Sequence, residues 1–347
     1  MDMNPTPPSL PEVRRALARS IGLAAFVYGY PLIETYRTCR LQTDAGAARA
    51  TGLSVGLGLD MRGDFDTLHH SQRPSTHEDR DVVTPANDLL YSLAWIHLAD
   101  GPRLLTVPSS AAHPGRYFVL ALYDAYTENF ENLGPRNCAP EGETVVLVGP
   151  GGQVPEPLAG HRLVHCPSNL VWLIGRTVVG DAPDWPAARA LQADIRLEPA
   201  PGVPKGGRPA AVANWVGPPV DAMAAAFENQ EPAAEVAPRF FTNLCHALAE
   251  APGRKEDQGL LAWFGQAGLV ASAQALADAG QWQLALHVID VLATAAGDAP
   301  EIGQARSLKA AWLRERAREV DSYVSRNLYR VGADMIEQGR QARLGLR

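Results

Sequence analysis

Residues 82–136 read VVTPANDLLYSLAWIHLADGPRLLTVPSSAAHPGRYFVLALYDAYTENFENLGPR, and this stretch decides the fold. Apolar runs rich in β-branched and aromatic residues alternate with short turn-forming sequences, the pattern of strands joined by tight connections. Asn87, Asp88, Tyr91, Trp95, Arg116, Tyr117, Asp124, Asn129 and Arg136 sit in or beside those runs. A polar group withdrawn from water costs free energy unless it is paired. Such a density therefore has one of two explanations: the residues form a site, or they brace a β fold.

Working outward, the predicted strands are Asp88–Leu98, Arg103–Val107, Tyr117–Leu122, Thr144–Val148 and Leu163–Cys166, with Leu170–Val179 a further strand or buried segment. Asp100-Gly101-Pro102 and His113-Pro114-Gly115 punctuate them. Gly149–Gly152 is read as a hairpin turn, since it lacks the following helix and Lys of a phosphate cradle. Short strands at this spacing predict an antiparallel sheet, sandwich or partial barrel. Trp185–Ile195 reads as a short helix.

Upstream, Ser9 can cap a helix with Pro11 in its first turn, and apolar residues recur at helical spacing through Ile33. Within it, Tyr28-Gly29-Tyr30-Pro31 predicts a kink or break, because Pro31 removes a backbone donor. Residues 41–81 read as a long loop. Downstream, residues 201–236 are a linker or a wrapped connection. Helical periodicity then covers 237–251, 256–279, 281–296, 300–319 and 322–345, with Gly280 and Gly297 at two breaks, as expected of helical hairpins in a tetratricopeptide-like array. The fold class is α+β: an N-terminal helix and central β domain (1–200), the connection (201–236), and an all-α domain (237–347).

The 347 residues suffice for a sizeable core, and a formal net charge of −7 speaks against a nucleic-acid partner. Arg outnumbers Lys 28 to 3, a bias that a GC-rich coding sequence explains as well as anion recognition does. Cys39, Cys138, Cys166 and Cys245 are widely spaced, so buried free thiols are expected rather than a disulfide scaffold or zinc site. The acidic, Pro-rich start lacks the character of a secretory signal, and the apolar stretch Ile21–Ile33 is too short to span a bilayer. A cytoplasmic protein with no membrane partner is the expectation.

Three polar clusters could carry chemistry. If Asp88–Leu98 is a strand, period two places Asn87, Tyr91 and Trp95 on one face and Asp88 and Ser92 on the other. The stripe is either a ligand wall or core filling with capping residues. In the second cluster, Arg116 and Asp124 have the spacing to share a strand face. Arg116 can hold a carboxylate or phosphate and Asp124 can act as general base, or both can be structural. Tyr117, Asn129 and Arg136 accompany them. In the third, Arg176 ends an apolar segment containing Trp172, within reach of Asp88, Asp124 or an anion. His77–Asp81 offers possible metal ligands, but a solvated polar loop explains it better and no metal is assigned. Nucleophile-elbow, nucleotide-loop and dinucleotide fingerprints do not occur, and no cofactor is assigned.

These motifs, in order, resemble a bacterial family known as domain of unknown function twelve-fifty-four: VYGYPLIE (Val27–Glu34), TPANDLLYSLAWIHL, PGRYFVLALYDAYTENFENLGPR, VGPGG, PSNLVWLIGRT, and onward through LQADIRLEP (Leu191–Pro199) and FFTNLCHALAE. The resemblance implies a β-rich domain with an N-terminal helix and no assigned activity. Most members continue into a second β-rich domain (twelve-fourteen) for which this chain shows no pattern. Residues Ala275–Ile336 are similar to the helical dimerisation domain of alkyl sulfatases, through Gly280, Trp282, the Ala285–Asp290 and Ala305–Ala317 helices, and Ser325-Arg326-Asn327-Leu328-Tyr329. The hydrolase domain of those enzymes is absent. What carries over is a homodimer built through the C-terminal helices.

Two functions are expected in competition. One is a cofactor-free small-molecule enzyme performing hydrolysis, elimination or isomerisation on an oxygenated or anionic substrate. Asp88 or Asp124 would be its base, Arg116 or Arg176 would hold the anion, and Tyr91, Trp95 and Tyr117 would wall the pocket. The other is a non-catalytic ligand- or partner-binding protein whose polar clusters brace the sheet.

Overall fold

The computed structural model describes residues 10–44, 65–79, 85–158, 160–217, 233–257, 259–261 and 300–337, with single positions between 274 and 293. The chain forms two compact units, 28–252 and 1–27 together with 253–347.

Helix α1 (Leu10–Thr43) runs through Pro31 without a break, against the expected interruption. Its segment Ala16–Thr43 is long and apolar enough to cross a membrane by length and composition, which the shorter reading of Ile21–Ile33 missed. Leu32, Ile33, Tyr36 and Cys39 from its C-terminal half are buried in the larger unit. Tyr36 has its ionisation pushed far up by burial and by Glu250 beside it.

The larger unit is a two-sheet sandwich. Its first sheet comprises β1 (His69–His70), β2 (Leu89–His97), β4 (Phe118–Tyr123), β5 (Asn129–Leu133) and β8 (Leu170–Val178), ordered β1-β2-β8-β4-β5. The second comprises β3 (Arg103–Val107), β6 (Glu143–Val148), β7 (Arg162–His165) and β9 (Arg196–Pro199), ordered β7-β6-β3-β9. The pairings are antiparallel except β6 with β7, which is parallel. That corrects the hairpin expected at Gly149–Gly152: two parallel strands need a crossover, and residues 149–161 supply one.

Alternation builds the core. Ala94, Ile96, Leu120, Leu122, Val171 and Leu173 from one sheet meet Leu105, Val107, Val145, Leu147 and Val164 from the other, closed by Leu191 of α2 (Trp185–Ala193) and Ile195. Each fully buried Leu, Ile or Val contributes on the order of 1.5–3 kcal/mol. Gly134 permits close passage beside β4, because a Cβ there would lie 2.6 Å from the Phe118 carbonyl oxygen. The unit continues through α3 (Ala210–Ala213) and α4 (Ala233–Glu250).

In the other unit, α5 (Pro300–Glu319) and α6 (Tyr323–Glu337) form the expected helical hairpin, joined by Val320–Ser322. Ala310 and Leu313 pack on Tyr329, Ala333 and Ile336, and Arg314 forks to Asp334 and Glu337 at 3.0 and 2.6 Å. Ile302, Ala305 and Trp312 share a core with Val13, Leu17, Ile21 and Ala24 of α1 and with Ala285 and Ile289. The helices expected over 256–296 fall mostly outside the described residues. Gly280 has φ +76°, the left-handed conformation expected of a helix-ending glycine.

Candidate functional site

The period-two reading of β2 locates the first group. Across the first sheet Tyr91 stands opposite Arg176, which stands opposite Val119. Two positions along each strand are Leu93, Ile174 and Ala121, and two further are Trp95, Trp172 and Tyr123. These side chains share the sheet face turned away from the sandwich core. Trp95 and Trp172 stack with centroids 4.9 Å apart and planes 8° from parallel. Trp95 Nε1 donates to Gln42 Oε1 at 2.8 Å, whereas Trp172 Nε1 is buried without a hydrogen-bond partner. The Tyr91 hydroxyl accepts from the Ala86 N–H at 3.0 Å. Arg176 is half-buried on the central strand β8, and its guanidinium makes no hydrogen bond or ion pair among the described residues.

Tyr117 precedes β4, its carbonyl accepting from Val178 N–H at 3.0 Å, and its exposed ring carries the Arg136 guanidinium 5.8 Å from the centroid. Asn129 lies on β5, an edge strand. Its Nδ2 donates to the Leu122 and Glu131 carbonyls at 3.0 and 3.3 Å, and its Oδ1 accepts from Asn132. Glu131 Oε1 accepts the Asn132 N–H at 3.0 Å, and Asn137 Nδ2 donates to the Asn132 carbonyl at 2.7 Å. Side chains thus occupy backbone groups that an incoming strand would otherwise claim. Beside them Asn129, Phe130, Glu131, Asn132, Arg136 and Asn137 line an open depression of about 410 Å³.

The expected catalytic residues are not brought together. Arg116 lies on the opposite alternation from Tyr117 and makes a two-pronged pair with Asp184, its Nη1 also donating to the Val178 carbonyl at 2.7 Å. The Arg116 hydrogen bond holds the Asp184 carboxyl down at about 2. The Arg116–Asp124 pairing suggested by their spacing does not form. Asp124 is buried, and its Oδ1 accepts the N–H groups of Tyr126 and Glu128 at 2.8 and 3.0 Å. It anchors a tight turn in which Thr127 takes φ +68°. Asn87 and Asp88 are exposed ahead of β2, where the Asp88 carbonyl accepts from Val179 N–H at 3.0 Å.

Two buried polar groups had no signal in the sequence. Arg103 is fully buried: Nε donates to Asp66 Oδ2 at 2.7 Å, Nη1 to the Gly101 carbonyl at 2.7 Å and Nη2 to the His97 carbonyl at 3.0 Å. Asp66 also accepts from the His97 and Gly206 N–H groups. A Cβ at Gly206 would lie 2.6 Å from Asp66 Oδ2, so only glycine fits. In the second, Ser92 Oγ is 2.8 Å from His70 Nδ1 and accepts from Gln192 Nε2 at 3.2 Å. Burial pushes the His70 ionisation below its ordinary range. The Ser92 hydroxyl is fully enclosed, so this pair is structural.

No group of three or more metal-ligating residues occurs among the described residues. At His77–Asp81, the Asp79 carboxylate takes Arg73 and the Thr76 N–H, while Arg80 and Asp81 lie outside the described residues. Cys39 and Cys166 are buried, Cys138 is half-buried, and Cys245 is exposed, contrary to the uniform burial expected. Burial pushes the Cys138 and Cys166 thiols up to about 11 and about 12, so neither is a thiolate near neutral pH.

No curated protein matches the chain. The crystal structure of the VPA0106 protein from Vibrio parahaemolyticus is similar at 14% identity and a TM-score of 0.49, covering 93% of this chain and 67% of that one. Both sequence resemblances are borne out: residues 65–199 match the family described as Protein of unknown function (DUF1254), and residues 239–339 match the family described as Alkyl sulfatase dimerisation.

Proposed function

We propose that this chain is a binding protein whose outer sheet face takes an anionic, oxygen-bearing small molecule, anchored by Arg176 beside Tyr91, on the same face as the Trp95–Trp172 stack. What carries this reading is the half-buried Arg176 guanidinium, which has no hydrogen-bond or ionic partner among the described residues. Arg37, Arg103, Arg116 and Arg162 are buried or half-buried, and each meets a carboxylate. A partly desolvated guanidinium recovers its lost hydration through a fork of hydrogen bonds to carboxylate or phosphate. The buried Trp172 N–H, on the same face, is also a donor without an acceptor. Missing acceptors favour an anion. Acid–base catalysis finds less support: Asp124 is committed to its turn, and Asp88 precedes β2 on the opposite alternation from Tyr91.

Binding of benzoate and of inorganic phosphate, followed by tryptophan fluorescence and thermal shift, tests this reading. The Arg176→Gln variant is expected to lose at least about tenfold in affinity, about 1.4 kcal/mol. An equal response from variant and wild type, or no response from wild type to either anion, removes it.

The chain is further proposed to dimerise through its C-terminal helices in a reducing cytoplasm. The dimerisation-family match supports the first part, together with Tyr323, Val324, Leu328 and Val331 of α6, each more than half exposed. The apolar stripe at 324, 328 and 331 follows helical spacing, as a helix seam requires. Four free cysteines support the second part. A light-scattering mass near 37.2 kDa, rather than twice that, would remove the dimer.

A further inference from the structure

We propose that the depression beside β5 is a second site, separate from the Arg176 face, and that it takes a small hydroxylated carboxylate of the sugar-acid class. Several hydrogen-bonding groups in the depression have no partner among the described residues.

Asn129 donates to two carbonyls and accepts from Asn132. Asn137 accepts the Gly134 N–H at 3.2 Å and donates to the Asn132 carbonyl. Glu131 accepts the Asn132 N–H, and its other oxygen takes Arg162 at 3.2 Å, a guanidinium that also meets Glu143 at 3.3 Å. What remains is the Arg136 guanidinium, the second N–H of the Asn132 and Asn137 amides, and the Asn132 Oδ1. The remainder is rich in donors. Among the described residues the Arg136 guanidinium is its one charge without an ionic partner, and a ligand carboxylate would supply that partner, with hydroxyls for the amides.

Shape agrees with this class. A volume of about 410 Å³ falls within the range of small-ligand clefts. The Arg136 guanidinium lies over the Tyr117 ring, 5.8 Å from its centroid, a cation–π contact that favours its position beside the depression. Phe130, half-buried against the sandwich core, adds an apolar patch for the C–H face of a sugar ring. The amides suit hydroxyl groups, to which they can donate and from which they can accept.

Calorimetric titration of the full chain with D-glucuronate, and with neutral D-glucose as comparison, tests the assignment. Glucuronate is expected to bind at least about tenfold more tightly than glucose. Arg136→Gln should lose that preference, and Arg136→Lys should keep part of it. Arg136 is exposed, so the variants are expected to keep the wild-type circular dichroism and melting temperature. Equal binding of the two sugars, equal binding by Arg136→Gln and wild type, or no glucuronate binding at all overturns the inference. Loss of glucuronate binding in Arg176→Gln, with Arg136→Gln unaffected, would assign the ligand to the sheet face, overturning this inference and leaving the proposed function standing.

Discussion

Arg103 and Arg176 make opposite uses of the same side chain. Arg103 is fully buried, with Asp66 and three backbone carbonyls within hydrogen-bonding distance. Arg176 is half-buried on β8 without a partner among the described residues. The first geometry is closed: every donor direction leads into the protein, so the residue can only hold the fold. In the second, no described residue takes up the guanidinium's hydrogen-bonding capacity, and the proposed anion would do so. Burial alone therefore does not distinguish the two arginines; the state of their donors does.

The largest effect that could break this comparison is at the closed pair. Arg103→Met leaves Asp66 buried without its cation, and a loss of about 3–5 kcal/mol in denaturant unfolding is expected. A loss below about 1 kcal/mol would mean that the pair is not the anchor its geometry suggests. Asp124→Ala comes next. It strands the Tyr126 and Glu128 N–H groups, with an expected cost of about 1–3 kcal/mol and unchanged benzoate affinity. A change in affinity without a change in stability would return Asp124 to the site.

A smaller effect is expected at His70. Burial, then the neighbouring His69, lowers its folded-state ionisation below the unfolded value, so the unfolded chain binds the proton more readily. Its contribution is present above the unfolded value and is lost as pH falls through that value toward the folded one. Melting temperature should drop between about pH 7.5 and pH 5.5, and His70→Gln should flatten that drop. The smallest stability change belongs to Arg176→Gln, within about 0.5 kcal/mol of wild type, since no side-chain bond to a described residue is removed. A large destabilisation there would mean that the open arginine is structural after all.

How much was legible depended on the range of the interaction. Alternation along β2 placed Tyr91 and Trp95 on one face before any pairing was known, and turn residues bounded most of the strands. β5 was missed because Asn129, Glu131 and Asn132 give NFENL a loop-like composition; those same side chains protect it as an edge strand. Arg116 and Asp124 looked like partners because they are close in sequence, yet Arg116 reaches Asp184, 68 residues away.

The sequence by itself determined the α+β class, the order of most strands, the C-terminal helical hairpin and the two family resemblances. Each of these rests on local periodicity or on contiguous motifs, which a single chain displays directly. Only the tertiary structure decided which arginines are paired, that Asp66 and Gly206 close around Arg103, and that β6 and β7 run parallel. Those outcomes depend on contacts between distant segments, and residue identity fixes a donor's chemistry but not what will stand opposite it. The stretch 82–136 carried the fold in its alternation. Which of its polar residues are paired within the fold was decided residue by residue, by what the second sheet and residues 162–206 bring to them.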